Sequence, residues 1–255
     1  MYRPRIIPVL LLKNDGLVKT KKFKKERYLG DPINAVRIFN AFRADEIILL
    51  NIQGSEKKQP ISLDLVKKVG EEANMPFSVG GGIKTLQQME ERIRAGSEKI
   101  VLGSLLFEHP EIVKQAVREF GSSTLVGCMD VKKNWKGQEF SYINRGQKKI
   151  DGKIEDVAKQ IEDLGIGELI IQSIDNDGMM QGYNISLIKK IASIVKIPIT
   201  ALGGAENLTS MKMLYDEIPV NGLAAGSMFV FHGTRQGILI NYPEQSIIKK
   251  IFNFK

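Results

Sequence analysis

The chain contains few of the residues that enzymes most often use for metal binding and nucleophilic catalysis. Its 255 residues include one cysteine, Cys128, and two histidines, His109 and His232. A single cysteine excludes an intrachain disulfide and a cysteine-rich metal site. Two histidines disfavour a histidine-based metal cluster and a Ser-His-Asp triad. Most familiar hydrolase chemistry is therefore excluded, and we expect neither a metal nor a cofactor.

Long apolar runs are also missing. No stretch approaches the roughly 18 consecutive apolar residues of a membrane-spanning helix. The first ten residues, MYRPRIIPVL, lead into an apolar run without a small-residue cleavage site, which disfavours a secretory signal. With 43% hydrophobic residues, the chain can bury a core. We expect a cytoplasmic globular protein without membrane contact.

The pattern that is present is an alternation of short apolar strands with amphipathic helical stretches. The predicted strands are Ile6–Leu12, Glu46–Ile52, Phe77–Val79, Lys99–Leu102, Thr124–Met129, Glu168–Ser173, Ile199–Ala201 and Gly222–Ala225. The predicted helices are Pro32–Phe42, Ile61–Ala73, Leu86–Ala95, Pro110–Phe120, Ile154–Leu164, Ile185–Val195 and Leu208–Asp216, with one more after Pro243. A doubly wound sheet could share this pattern, but eight units in about 250 residues favour an α/β fold of the closed (β/α)8 TIM barrel type. No linker divides the chain, so residues 1–255 are expected to form one domain.

An internal repeat supports the barrel. GELIIQSI at Gly167–Ile174 matches DEIILLNI at Asp45–Ile52, and Gly203-Gly204 matches Gly81-Gly82, both at an offset of 122 residues. Gly226-Ser227 matches Gly103-Ser104 at an offset of 123. Two half-barrels related by a pseudo-twofold axis would place glycine-rich anion sites on opposite sides of one barrel mouth.

The glycine runs and several polar residues follow predicted strands, where the active site of a βα barrel lies. Backbone N–H groups of glycine runs can bind phosphate, although the same glycines can simply form tight turns. Asp130 and Cys128 share strand parity and should point into the mouth. Asp130 is a candidate general acid or base, or else a loop cap. The segment Asp175–Gly178 also follows a predicted strand, and it can equally be a functional loop of the mouth or an Asx-rich turn. Cys128 is better interpreted as a buried apolar residue than as a nucleophile.

Several segments together identify a family resemblance that is collinear and covers nearly the whole chain. They are RIIPVLLLK, FSVGGGI, EKIVLGS, VGCMDVK, GELIIQSIDNDGMMQGYN, ALGGA and AAGS. They resemble the cyclase subunit of imidazole glycerol phosphate synthase, of the HisF type. In that family a (β/α)8 barrel receives ammonia from a HisH-type glutaminase at its N-terminal face. The ammonia passes through the barrel to a bis-phosphate ribulosyl substrate at the C-terminal face.

The resemblance also implies roles for individual residues. Of the family's two catalytic aspartates, the second matches Asp130, whereas the position of the first is occupied by Leu11. Loss of one proton-transfer group typically costs about a hundredfold to ten-thousandfold in rate. The mouth departs further from the family, because Asn51 replaces an aspartate and Gly103-Ser104 replace an Asn-Thr pair.

Other family positions are kept. The implied phosphate-binding residues are Gly82, Ser104, Gly178, Gly204 and Ser227. The implied ammonia gate is a ring of four charged residues, Arg5, Glu46, Lys99 and Glu168, which could also be incidental surface charges. Glu98 corresponds to an acidic residue that faces the glutaminase.

These residues leave three functional hypotheses open. The first is a HisF-like subunit that conducts ammonia from a HisH-like glutaminase to a third, ATP-using enzyme, as in surface-polysaccharide pathways that make an acetamidino sugar. The second is a true cyclase of histidine biosynthesis, which Leu11 speaks against. The third, a basic RNA-associated barrel, rests only on the formal net charge of +8 and the run from Lys19 to Arg27.

The run from Lys19 to Arg27 has its own alternatives. It could dock an acidic synthetase, hold a phosphorylated sugar over the mouth, or be a mobile solvated loop. Nucleic-acid binding is disfavoured because only Phe23 and Tyr28 interleave with its cations.

Overall fold

Eight parallel strands close into a barrel in the computed structural model, which describes residues 3–54, 59–233 and 235–253. The first strand pairs with both the second and the eighth, and the fifth pairs with the sixth, so the sheet has no open edge within the barrel. The predicted TIM barrel is confirmed, and a doubly wound open sheet is excluded. In chain order the barrel strands are Arg5–Lys13, Ile47–Asn51, Phe77–Gly80, Lys99–Leu102, Leu125–Lys133, Glu168–Ser173, Ile199–Leu202 and Gly222–Ala225.

Helices cover the outside of the barrel. They span Pro32–Ala41, Leu63–Glu72, Leu86–Arg94, Leu105–Glu108, Pro110–Phe120, Ile154–Glu162, Ile185–Ala192, Leu208–Glu217, Ser227–Val230 and Gln245–Ile251, with a 3-10 turn at Ser122–Thr124. Most predicted ends lie within three residues of the observed ones. The helix predicted from Ile61 begins instead at Leu63, because the Ser62 hydroxyl accepts a hydrogen bond from the Leu65 amide and caps it. No helix in the described ranges is long and apolar enough to cross a membrane.

Side-chain alternation along the strands produces two apolar regions. Outward-facing residues pack against the helices in the larger core. Inward-facing residues fill the barrel interior with a smaller cluster of Ile7, Val9, Ile48, Val101, Val126, Ile170, Leu202 and Ala224. The barrel axis is therefore lined by aliphatic side chains between its two polar ends.

Two β-hairpins rise from the C-terminal ends of opposite barrel strands, and the sequence patterns missed both. The lysine-rich hairpin, Gly16–Lys21 and Lys24–Gly30, pairs antiparallel with the first strand, so its prediction as a loop was wrong. Its turn places Lys22 and Phe23 at φ of 52° and 60°, without the glycine or asparagine that usually marks such a turn. In the second hairpin, the fifth barrel strand continues to Lys133 and pairs with Glu139–Ile143, whereas the predicted strand ended at Met129. Lys148–Lys149 adds a short third strand there.

An aromatic cluster closes the outer core beside the first helix. Phe39 is fully buried and meets the rings of Phe229 and Tyr242 edge-on, with centroids 6.5 and 6.3 Å away. These contacts tie the first helix to the final segments of the chain.

We therefore expect Phe39→Ala to lower the free energy of unfolding by about 3 to 5 kcal/mol, because it removes a buried ring and leaves a cavity. Phe42, at the end of the same helix, is 38% exposed, and Phe42→Ala is the matched control. Urea titration should give the control less than half of the Phe39 effect. Equal losses would show that Phe39 is not central to this cluster.

Candidate functional site

The N-terminal end of the barrel is closed by a ring of four charged side chains. Arg5 donates hydrogen bonds to Glu46 and to Glu168, the latter at 2.6 Å. Lys99 lies 3.0 Å from Glu168 and 3.5 Å from Glu46. Each cation therefore touches both carboxylates. The structure brings together the four residues implied as a gate, although they are distant in sequence.

Two hydroxyl groups complete the ring. Ser78 donates to Glu46 at 2.9 Å, and Thr200 donates to Glu168 at 2.5 Å. Burial raises the pKa of Glu168, but Arg5 and Lys99 outweigh this and hold that pKa below its ordinary value. Glu168 is thus ionised, and both carboxylates have hydrogen-bond partners in a place where Glu46 is only 4% exposed. Glu98 is exposed at the start of the fourth strand, beside this ring.

The opposite, C-terminal end holds a cavity in which Asp130 faces apolar neighbours. The cavity wall includes Leu11, Leu50, Cys128 and Asp130, so the expected inward orientation of Cys128 and Asp130 is seen. The Cys128 thiol lies 3.6 Å from the Asp130 carboxylate. Burial raises the pKa of Asp130 to about 7, with a smaller contribution from the negative charge of Asp177. Asp130 can therefore exchange a proton near neutral pH, but Leu11 offers it no partner.

The implied phosphate-binding residues fall on two sides of this mouth. Gly178, Gly204 and Ser227 line a narrow pocket on one side. The Ser227 hydroxyl is buried, and within the described residues it has no hydrogen-bond partner. An unpaired buried donor of this kind suits an anionic ligand. Gly82 and Ser104 line the larger cavity instead, and the Ser104 hydroxyl is already engaged by Asn144 at 3.1 Å.

Asp177 anchors the lysine-rich hairpin over the mouth. Its carboxylate accepts from the Lys19 ammonium at 2.8 Å and from the Thr20 hydroxyl at 3.0 Å. Lys19 and Asp177 are 6% and 4% exposed, so this part of the basic run is a buried support rather than a solvated loop. Sequence patterns missed the pair because 158 residues separate its members. The Asx-rich turn expected at Asp175–Gly178 thus has a partner that its own sequence does not reveal.

The hairpin also crosses the mouth and meets the second hairpin. Glu26 accepts from Arg145 at 2.8 Å, and Phe23 lines the cavity together with Tyr142. The two hairpins therefore cover the cavity that contains Asp130. No group of three metal-ligating side chains occurs among the residues that the structure describes.

Comparison with known proteins finds relatives that match nearly the whole chain in sequence. A family model described as "Histidine biosynthesis protein" matches residues 5–235. The chain is 46% identical over 253 residues to the "Putative imidazole glycerol phosphate synthase subunit HisF" of Leptospira borgpetersenii, covering 99% of this chain and 100% of that one. It is 43% identical to the Vibrio vulnificus protein with the same description, subunit hisF3, over 98% and 96% of the two chains. The "Imidazole glycerol phosphate synthase subunit HisF" of Thermococcus onnurineus is 38% identical over 91% of this chain and 90% of its own.

The raised pKa of Asp130 predicts a pH-dependent stability. The folded chain holds this proton up to about pH 7, whereas the unfolded chain releases it near the ordinary value of 3.8. Stability is therefore lost as pH rises between these values. The free energy of unfolding of Asp130→Asn relative to that of wild type should therefore increase by about 3 to 4 kcal/mol between pH 4 and pH 8.

The control is Asp151→Asn, since the Asp151 side chain is 98% exposed. Denaturant titration at the two pH values should show little change for this variant. A constant difference between Asp130→Asn and wild type across the range would contradict the assignment of a raised pKa.

Proposed function

The chain belongs to the histidine biosynthesis protein family, and we propose that this HisF-like subunit conducts ammonia instead of cyclising a substrate itself. The ammonia would come from a HisH-like glutaminase bound at the N-terminal face. It would leave at the C-terminal mouth for a partner enzyme that makes an acetamidino sugar. The observation that carries the proposal is the contrast between a complete charged ring at one end and a cavity at the other, where Leu11 and Asp130 share the wall and the Asp177 carboxylate is held by Lys19.

The entrance supports the proposal through its charge balance. Two cations and two carboxylates neutralise one another, so the ring can close a narrow opening without an unpaired buried charge. Movement of one cation would open it. Arg5 is fixed by close contacts to both carboxylates, whereas Lys99 lies 3.5 Å from Glu46 and is the more weakly held member.

The low polarity of the barrel interior also supports the proposal. Above the ring the barrel is lined by aliphatic side chains such as Ile7, Val101 and Ile170. Transfer of neutral ammonia from water into such a lining costs less free energy than transfer of ammonium, because an isolated charge in an apolar medium is strongly disfavoured. The lining thus favours passage of the reactive, unprotonated form.

The C-terminal mouth supports the proposal because Leu11 provides no group for proton transfer. A cyclisation with several proton movements needs more than one acid or base, and Leu11 has no titratable proton. Leu50 and Cys128 extend the apolar wall beside Asp130. A partner that uses ATP to activate its own acceptor would supply the chemistry that this mouth does not.

A second candidate function is cyclisation in histidine biosynthesis. It is favoured by Asp130 and by the unpaired Ser227 hydroxyl in the glycine-lined pocket, which would suit a phosphate group. The same pocket could serve a phosphate-bearing sugar in the conducting role. Catalysis of the cyclisation therefore distinguishes the two functions, whereas binding of an anion does not.

The first test is cyclase activity. Given ammonium salt and the bis-phosphate ribulosyl substrate of the family, the purified protein should turn over at least about a hundredfold more slowly than an active HisF subunit assayed beside it. Asp130→Asn should then cost little further activity. Turnover equal to that of the reference enzyme would overturn the conducting function.

The second test is the face that binds the glutaminase. In a pull-down with the glutaminase from the same genome, Glu98→Lys should lose binding because it reverses a charge beside the ring. Replacing Lys21, Lys22, Lys24 and Lys25 by Ser should leave binding intact, since the lysine-rich hairpin lies at the other end. The opposite pattern would show that the two faces are assigned the wrong way round.

The ring itself has a third test in the assembled complex. Lys99→Ala leaves one cation against two carboxylates and should change the rate at which ammonia is transferred, with glutaminase binding retained. Its free energy of unfolding should fall by no more than about 1 kcal/mol, because the Lys99 side chain is still 22% exposed. Unchanged transfer would mean that the ring does not lie on the ammonia path.

A further inference from the structure

The excess positive charge of the chain is confined to the two hairpins over the mouth. Between Lys13 and Gly30 there are seven basic and two acidic residues, and between Leu125 and Lys149 there are six and two. These segments together carry a net charge of +9, against +8 for the whole chain. The remaining 24 basic and 25 acidic residues nearly cancel. The two hairpins are therefore strongly basic, and the rest of the chain is close to neutral.

The cations of this face are largely not neutralised by the protein itself. We define the basic rim as the exposed lysines of the two hairpins, Lys21, Lys22, Lys24, Lys25, Lys133, Lys136, Lys148 and Lys149. Within the described residues, only Lys149 has a carboxylate within ion-pair distance, Asp151 at 3.7 Å. On the outer helices, by contrast, charges pair locally, as Lys68 does with Asp64 at 2.7 Å. Unpaired cations concentrated around an opening attract an acidic surface.

Exposed apolar side chains lie on the same face. The only tryptophan of the chain, Trp135, stands at the tip of the second hairpin with 89% of its surface exposed, and Tyr28 on the lysine-rich hairpin is 67% exposed. A third, short hairpin, Phe231–His232 with Gly237–Ile238, carries the exposed Ile238. Arg27 joins it to the lysine-rich hairpin by donating to the Gln236 carbonyl at 2.9 Å. Aromatic residues next to cations are typical of the residues that dominate protein–protein binding energy.

We propose that the basic rim, with Trp135 and Tyr28, docks an acidic face of the enzyme that consumes the ammonia. The inference rests on the proposed conducting function and names the surface through which it would operate. Ammonia that escapes into neutral water is diluted and largely protonated to ammonium, which is not a nucleophile. A consumer that covers the mouth would avoid this loss, and the rim lysines lie on the two hairpins at that mouth.

The aromatic geometry favours a protein over a nucleic acid. Lys149 lies 4.2 Å from the ring centre of Phe140, and Lys132 lies 5.6 Å from that of Tyr142, so lysines occupy faces on which bases would stack. Aliphatic Ile238 offers no stacking surface but packs readily against protein. A small anion alone would not need cations spread over two hairpins outside the cavity.

The test begins with contact in the organism of origin. A photo-crosslinking amino acid replaces Trp135, and the control carries it at Met213, which is 61% exposed on an outer helix. We expect the Trp135 position, and not Met213, to capture an acidic protein that hydrolyses ATP. Capture of RNA, or no capture above the control, overturns the proposal.

The captured protein is then purified and its Kd for the complex of this chain with its glutaminase is measured. Replacing Lys21, Lys22, Lys24 and Lys25 by Gln should raise the Kd at least about tenfold, as should raising salt from about 50 to about 300 mM. The matched control replaces Lys67, Lys114, Lys249 and Lys250 by Gln, which removes the same charge elsewhere and should change the Kd less than about twofold. Equal losses in both variants would contradict docking at the rim.

The same variants separate this proposal from the conducting function. If the rim variant binds and activates the glutaminase normally but transfers no less nitrogen to the captured enzyme, only the docking surface is wrong. If wild type neither binds a glutaminase nor transfers nitrogen, the conducting function itself fails. Retained folding of each variant is checked by its unfolding midpoint.

Discussion

Mutual neutralisation of Arg5, Lys99, Glu46 and Glu168 is the interaction that closes the N-terminal end of this barrel. The two carboxylates are buried and would be costly without a cation, whereas Arg5 and Lys99 keep part of their surface in solvent. Ser78 and Thr200 satisfy remaining carboxylate oxygens, so the ring is closed electrostatically as well as sterically. A parallel barrel brings such a ring together because the strand starts converge on one axis. The fold therefore brings these four side chains together, and the sequence determines their charges.

The two ends of the barrel differ in how their buried charged groups are partnered. At the N-terminal end every buried charge has a partner of opposite sign. At the C-terminal end burial and the negative charge of Asp177 raise the pKa of Asp130 to about 7, against the opposing effect of the Cys128 thiol. A site built for several proton transfers would pair that carboxyl with a second acid or base, whereas Leu11 in the same cavity wall has no titratable proton. The proposed passage of ammonia would use the first arrangement and needs no proton transfer at the second.

Much of the fold and part of the site could be predicted from the sequence. Strand and helix periodicity and the repeat of the glycine runs were sufficient for the barrel, since these signals are local. Strand parity alone placed Asp130 in the mouth. The link between Lys19 and Asp177 could not be predicted, because a buried ion pair between distant residues leaves no local pattern. The lysine-rich hairpin was missed for a related reason: its turn uses Lys22 and Phe23 where glycine or asparagine would have marked it.

The origin of the transferred nitrogen tests the conducting function most directly. The chain, its glutaminase and the acceptor enzyme are mixed with glutamine carrying ¹⁵N in its amide and with a large excess of unlabelled ammonium, and the product is analysed by mass spectrometry. If ammonia travels inside the barrel, most of the product should carry ¹⁵N while the acceptor is being consumed. A product whose label matches the diluted pool of the solution would show that the ammonia is released to solvent and that the barrel does not conduct it.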